Sequence, residues 1–486
     1  MRRIPLRLTR IVATLGPASS DEETLRRLIR AGMNVARLNS AHGDHATHAE
    51  VLDRLRRAAE ACDRFVAVLL DLAGPKLRLL TPGGEPVPVA PGGEVALWRT
   101  LPAAPGAADV ASTCPAIVDD AAPGHAVLFG DGAVRMRVIR QEADRLVLAS
   151  DDAGPLTAGM GINLPETDLG VAMPTDKDWR DLEWGIAQGV DYVGLSFVRS
   201  AAEVRAVKEF IARAGAATQV IAKMEKPQAL DDIDAILAEA DGLMVARGDL
   251  GVELDVARVP VLQKDLIRRA AAAGVPVITA TQMLQSMIHE PRPTRAEVSD
   301  VANAVFDGSD ALMLSGETAV GHDPVRAVEM MDHIIDVSED YAERAAWPAP
   351  AEAAARYAWS ERAIVAGAAE IARGLDPALV VALTHSGATA LLVSKQGLRM
   401  PILGISDRVE TCRRMALYRG VIPAHHPDLI RHEDLAGEVQ RLALARKLVA
   451  AGQRVLIISG YFPGRPGGTD TLRVHTVSDP TERGAS

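Results

Sequence analysis

Gln219-Val220-Ile221-Ala222-Lys223-Met224-Glu225 and Leu243-Met244-Val245-Ala246-Arg247-Gly248-Asp249 are short, mostly apolar runs that end in charge. A strand buried on both faces reads as such a run rather than as an alternation. Six more lie outward from these two, at residues 11–15, 34–38, 66–71, 192–196, 276–280 and 311–314. Helical stretches follow most of them: 22–31 after Ser20 and Asp21, a Ser/Asp pair suited to an N-cap, then 202–213, 261–273 and 295–306. Eight β-then-α units predict an α/β fold, a (β/α)₈ TIM barrel.

The spacing breaks once. Roughly 120 residues separate the third and fourth runs, against about 25 to 40 for an ordinary repeat. Pro/Gly clusters at 81–85, 88–93 and 102–106 alternate there with short two-periodic runs such as 133–139 and 145–148. The pattern predicts a small β-barrel-like domain inserted in a barrel loop, at the catalytic end, where it acts as a lid. After about residue 340, Pro348 and Pro350 mark a bend, and strands at 379–383, 401–406 and 454–459 alternate with helices. A C-terminal α/β domain is expected. The expected division is 1–75 and 173–345 for the barrel, 76–172 for the lid and 346–486 for the C-terminal domain. An alanine-rich stretch at 351–355 reads as a packing helix.

The 486 residues are 48% hydrophobic and 24% charged, the composition of a folded globular chain. Net charge is −11, which argues against nucleic-acid binding and leaves an anionic substrate to local cations or a metal. No run of about 18 apolar residues suggests a membrane span, and the basic residues 1–10 lead into an apolar run too short for a signal peptide. Cys62, Cys114 and Cys412 are widely spaced, as expected of reduced thiols in a cytoplasmic protein.

Barrel enzymes carry their chemistry just after the strands. Here the second run ends in Arg37 and Asn39, and the third in Asp71 with Lys76 and Arg78 beyond. The fourth ends in Ser196, the fifth in Lys223 and Glu225, and the sixth in Arg247-Gly248-Asp249. The seventh ends in Thr281-Gln282 and the eighth in Ser315-Gly316-Glu317. One such residue is an ordinary cap; polar groups at the same end of seven strands make a site. Glu225 and Asp249 suit Mg²⁺ (or Mn²⁺), which takes oxygen ligands. The competing reading is two carboxylates neutralised by Lys223 and Arg247. Lys223 and Glu225, two apart on a strand, share a face. An ammonium beside a dication suits a phosphoryl group in transfer. Gly248 lacks a Cβ, so the N–H groups of Gly248 and Asp249 can approach an anion. No Walker sequence is present. His42, His45 and His48 recur every third residue, a spacing that drifts around a helix and reads as a solvated face rather than a metal cluster.

These motifs resemble the pyruvate kinase family. Ala222-Lys223-Met224-Glu225 with residues 244–253 resembles its active-site signature. Ala280-Thr281-Gln282-Met283-Leu284, Pro291-Arg292-Pro293-Thr294-Arg295-Ala296-Glu297 and the opening Ile11–Ser19 stretch (11–19) also match, in order along the chain. The resemblance implies transfer of the phosphoryl group of phosphoenolpyruvate to ADP. Lys223 would stabilise the transferred group, Glu225 and Asp249 would hold Mg²⁺, and Arg37 would bind phosphate. Gly248, Asp249 and Thr281 would hold the substrate carboxylate, with Thr281 organising protonation of the enolate. Arg78, Asn39 and His42 would face the nucleotide. A homotetramer is also implied.

Several positions depart from the family pattern. Its K⁺ site uses Asn and Ser after the second strand and Asp-Thr after the third; Asn39 and Asp71 remain, but Ala41 and Leu72 replace the hydroxyls. The usual Glu nearby is Lys76. An ammonium repels K⁺, so Lys76 is expected to replace the ion, and K⁺ not to be required. The lid lysine before Gly-Ile-Asn is Met160, and Asp-Asp-Gly is Gly130-Asp131-Gly132, which predicts altered nucleotide affinity. Thr384-His385-Ser386-Gly387-Ala388-Thr389 resembles the family's effector phosphate loop, through Thr384, Ser386, Gly387 and Thr389, for a sugar monophosphate; a capped helix without ligand is the alternative. Residues 464–471 resemble a second effector loop. Two other functions compete: a Mg²⁺-dependent lyase acting on a pyruvate enolate, and a non-catalytic effector-binding relative. The retained Lys223, Glu225 and Asp249 weigh against the second, and Lys223 with the lid against the first.

Overall fold

Eight parallel strands close into a ring, each hydrogen-bonded to the next in sequence and the last to the first. They are Arg10–Thr14, Val35–Asn39, Ala67–Asp71, Tyr192–Leu195, Gln219–Met224, Gly242–Ala246, Val277–Ala280 and Ala311–Leu314. The structure, a computed structural model, describes residues 7–344, 357–429, 434–460 and 468–479. Pro348, Pro350, the 351–355 stretch and residues 464–467 lie outside the described residues.

The strands are apolar throughout because both faces are covered. One set of side chains, Ile11, Ala36, Val68, Val193 and Leu312 among them, packs outward under the helices. The helices follow the sequence signals closely. Glu22–Ala31 begins where Asp21 accepts the Thr24 N–H, and it buries Leu25, Leu28 and Ile29 at helical spacing. Arg295–Phe306 begins at a reciprocal Thr294/Glu297 capping box. The inward set, including Val12, Leu69, Tyr192, Ile221 and Met244, runs on without a break into Leu391, Met415 and Tyr418 of the C-terminal part. The barrel's base therefore rests on that part, and its other end stays open for chemistry.

Between the third and fourth barrel strands lies a seven-stranded sheet with its own core, built on Leu79, Leu97, Phe129, Met136 and Leu148. Val134–Gln141 alternates buried and less buried positions over its first half, as a half-covered strand should. The C-terminal sheet has five strands in the order Val421–His425, Ile402–Ser406, Leu379–Leu383, Arg454–Gly460 and Thr469–Thr476, the last antiparallel. The two edge strands were not anticipated. Pro423 interrupts the first, which a strand tolerates only at an edge, and Thr469–Thr476 is polar because it lies at the opposite edge. No described helix is long and apolar enough to cross a membrane.

Candidate active site

Lys223 ends the fifth strand with its ammonium buried between two carboxylates, 3.0 Å from Asp71 Oδ1 and 2.9 Å from Glu225 Oε1. It also donates to Ser196 Oγ at 2.6 Å. Burial alone would lower the Lys223 pKa, but Asp71 and Glu225 outweigh it and hold the group well above the ordinary lysine value. Asp71 comes from the third strand and reaches past the fourth, where Gly194 has no Cβ to block it. Its other oxygen takes Arg37 Nε at 2.6 Å, and Arg37 also donates to Thr14 Oγ1 at 3.0 Å. Five strands thus fix one cationic pair, Arg37 and Lys223, facing the barrel mouth.

Glu225 is further held by the Phe197 N–H at 2.7 Å. Phe197 has a left-handed backbone (φ 54°), as do Thr281 (φ 70°) and Gln282 (φ 56°); side-chain-bearing residues adopt that region only under constraint. Asp249 does not extend the sixth strand but lies in the first turn of the short helix Arg247–Glu253. Its carboxyl pKa is pushed up to about 7, by burial and then by the Glu225 charge. Arg247 leaves Asp249 alone: it pairs with Asp300 at 2.7 Å and donates to the Thr281 carbonyl at 2.8 Å. Lys223 pairs with Glu225, and its pull on Asp249 is outweighed by burial and the Glu225 charge; no described residue forms an ion pair with Asp249. Two facing carboxylates, one destabilised as an anion, form a donor set that fits a divalent cation. Among the described residues no third Asp, Glu, His or Cys joins them, so the remaining ligands would be substrate oxygens and water. The Gly248 N–H, expected to meet a substrate carboxylate, donates to Thr281 Oγ1 at 2.7 Å.

A cleft of about 260 Å³ opens above these groups, between the barrel end and the inserted sheet. The barrel lines it with Arg37, Asn39, Lys223, Glu225 and Asp249, and the insert with Asp131, Gly161 and Asn163. One group escaped the sequence reading. Glu253, four residues after Asp249 on the same helix, is buried and accepts from Asn163 Nδ2 at 3.0 Å and from Lys226 Nζ at 2.8 Å. The i, i+4 spacing from Asp249 was the available signal. Met160 faces inward, its sulfur accepting the Thr157 N–H, and it packs against the insert core.

The rim is cationic. Lys76 and Arg78 line it beside His42, whose pKa is lowered by burial and then by Lys76, Arg78 and Arg37. Lys76 Nζ lies 3.4 Å from the Ala41 carbonyl. Asn39 Oδ1 accepts the Ala41 N–H at 3.1 Å, and Arg78 reaches the Gly159 carbonyl at 3.3 Å. The other two histidines of the row turn away: His45 pairs with Asp181 and stacks on Trp184, while His48 bonds the His42 carbonyl. Far from the cleft, Thr384 Oγ1 accepts the Gly387 N–H at 2.9 Å, with Gly387 left-handed, and Thr389 bonds Thr469 at 2.8 Å. Ser386 Oγ reaches the Ala388 N–H at 3.4 Å.

Comparison with known proteins agrees with this architecture. The family model "Pyruvate kinase, barrel domain" matches residues 6–328, and "Pyruvate kinase, alpha/beta domain" matches 362–475. A pyruvate kinase of Mycobacterium intracellulare is 40% identical over 472 residues, covering 97% of this chain and 98% of its own. One from Geobacillus stearothermophilus is 38% identical, covering 98% of this chain and 82% of its own. The crystal structure of a pyruvate kinase from Cryptosporidium parvum superposes with a TM-score of 0.89 at 32% identity, over 97% of this chain and 96% of that one. With family matches over both its barrel and its C-terminal sheet, and relatives of this kind along nearly its full length, the chain is a transferase belonging to the pyruvate kinase family.

Proposed function

We propose that this cleft moves the phosphoryl group of phosphoenolpyruvate onto ADP with Mg²⁺ (or Mn²⁺) held by Glu225 and Asp249, and without K⁺. The observation that carries the reading is the Lys223 ammonium, clamped between Asp71 and Glu225 at the barrel mouth. A phosphoryl group in transfer spreads charge over three oxygens, so catalysis rests on positioned positive charge. Lys223 and Arg37 supply that charge in fixed directions and need no rearrangement as it develops. When bound, the divalent ion, held by Glu225 and Asp249, would neutralise negative charge on the phosphoryl group. Thr281, fixed by its strained backbone and its bond to Gly248, orients a hydroxyl at the enolate end. Gly248 and Asp249 line the carboxylate end. Asn39, His42 and Arg78 form the nucleotide side of the rim, and the insert excludes water, which competes for the phosphoryl group.

Lys76 supports the K⁺-independent reading. Its ammonium sits by the Ala41 carbonyl, next to positions where hydroxyl ligands are replaced by Ala41 and Leu72. The same reading takes residues 1–75 and 173–345 as the barrel domain, 76–172 as the lid and 346–486 as an effector domain. Thr384, Ser386, Gly387 and Thr389 would receive a sugar monophosphate, in a cytoplasmic homotetramer that binds neither nucleic acid nor membrane.

The test is pyruvate formation from phosphoenolpyruvate and ADP with Mg²⁺, with and without K⁺ at fixed ionic strength. Equal activity in both is expected. Activity only with K⁺ keeps the phosphotransfer and removes the role given to Lys76. No activity in either, from folded protein supplied with sugar phosphates, removes the reading as a whole.

A further inference from the structure

The closed end of the barrel repeats one device four times. The residue just before each even-numbered strand is Asn34, Asp191, Asp241 or Asp310. Each accepts, through its side chain, a backbone N–H at the start of the preceding odd-numbered strand. Asn34 takes Ile11 N at 3.0 Å, Asp191 takes Val68 N at 2.8 Å, Asp241 takes Val220 N at 3.0 Å and Asp310 takes Val277 N at 2.7 Å. The same four residues return their own N–H groups to the carbonyls of Ile11, Val68, Val220 and Val277. The side chains thus fix where odd strands begin.

Three of the four are carboxylates, and a buried carboxylate needs a partner charge. Asp241 takes Lys208 from the barrel's own helix, at 2.8 Å. The other two are served mainly from the C-terminal part. Arg413 Nε meets Asp191 Oδ1 at 2.8 Å, with Arg56 of the barrel further off at 3.5 Å. Lys395 Nζ pairs with Asp310, both almost fully buried. The strands so anchored are the third and the seventh. The third ends in Asp71, and the seventh leads directly into Thr281.

We propose that Lys395 and Arg413 are positioning residues for the phosphotransfer site: by neutralising the carboxylates that cap the odd strands at the base of the barrel they set the strands that deliver Thr281 and Asp71 to the opposite end. This rests on the reading of those two as site residues. Both cations belong to elements tied to the Thr384–Gly387 loop (384–387). Lys395 caps the helix Ala388–Ser394 that follows the loop. Beside Arg413, Arg414 reaches the Ser386 carbonyl at 3.4 Å and the barrel's Ala217 carbonyl at 2.5 Å.

The experiment compares Lys395→Met with the double variant Asp310→Asn/Lys395→Met in the full chain. The single variant leaves Asp310 buried without its cation. The double variant keeps an oxygen for the Val277 N–H, as Asn34 does for Ile11, and removes the charge. Three quantities are read: melting temperature, hydrogen exchange at the Val277 amide, and kcat at a temperature where circular dichroism shows the fold intact. Lys395→Met is expected to melt several degrees lower, exchange faster at Val277 and lose kcat on the order of three- to thirtyfold. The double variant should recover all three. If the single variant does not fold, the double variant decides alone, by folding with near-parental kcat or failing to. Faster exchange with unchanged kcat overturns the positioning role. A double variant no better than the single one overturns the account of Lys395. Absence of phosphotransfer in the parent chain is a separate failure, of the functional reading itself.

Discussion

Lys223 meets Asp71 across an intervening strand, ammonium to carboxylate at 3.0 Å, because position 194 between them is glycine. A Cβ on Gly194 would stand 3.1 Å from Asp71 Oδ1 and 3.5 Å from Lys223 Cδ. The first contact is too tight for the pair to stay in place. Gly194→Ala is therefore expected to lower kcat about tenfold or more, since displacements under an ångström at a reacting group are felt strongly. Circular dichroism should show a retained fold. An unchanged kcat would remove the geometric role given to the pair.

Lys223→Met removes the buried ammonium and leaves Asp71 with Arg37 alone. We expect kcat to fall on the order of 10² to 10³, as for loss of one preorganised electrostatic group, while the KM for ADP moves little. Steady-state pyruvate formation measures both. A loss confined to KM would reassign Lys223 to binding.

Asp249 carries the pH dependence. Its folded pKa of about 7 lies above the ordinary aspartate value, through burial and the nearby Glu225 charge. Its contribution to stability is fully present below the unfolded value, near 4, and is lost as pH rises through about 7. Without metal, the protein should therefore lose this increment of stability between those pH values. Divalent binding must displace the proton below pH 7. Calorimetry in buffers of different ionisation enthalpy should find nearly one proton released per Mn²⁺ at pH 6 and almost none at pH 8. Equal release at both would exclude Asp249 as the titrating ligand.

Asn163 ties the insert to the barrel through Glu253. A hydrogen bond to a charged acceptor contributes about 1.5–3 kcal/mol when fully formed, and here Lys226 keeps Glu253 partnered when the amide is lost. Asn163→Ala should leave the melting temperature within a few degrees and raise the KM for ADP up to about tenfold. An unaltered KM would mean that the insert is held elsewhere.

Lys76→Glu reverses the charge of the rim side chain beside the Ala41 carbonyl. We expect activity without K⁺ to fall and partial recovery when K⁺ is added at constant ionic strength. The parent chain should be indifferent to the ion. A variant equally indifferent would dissociate Lys76 from cation dependence.

Much of this was legible in sequence. All eight barrel strands begin within a residue of the apolar runs, because burial on both faces leaves no other composition. The charged strand ends identified Arg37, Lys223, Glu225 and Asp249, and they converge on one cleft. What stayed hidden depends on tertiary contact. Val421–His425 hides behind Pro423, which only a sheet edge excuses. Arg247 looks like a counter-charge for Asp249 until Asp300 is seen beside it. Glu253 gains meaning only with Asn163 folded over it, and Gly194 only with its two neighbours in place. The residues before the even strands carry a visible Asn/Asp pattern, yet nothing in sequence tells which cations answer it.

Those cations also bear on the order in which the chain is made. Asp310 waits for Lys395, 85 residues further along, and Asp191 for Arg413, 222 residues further along. A ribosome delivers all eight barrel strands before either cation exists. During that interval Asp310 lacks its cation and Asp191 has only the more distant Arg56, and a carboxylate without a close partner charge depends on water. On the positioning role proposed for Lys395 and Arg413, the strands that carry Asp71 and Thr281 would be set only once the last quarter of the chain has been made, not when the barrel's own sequence is complete.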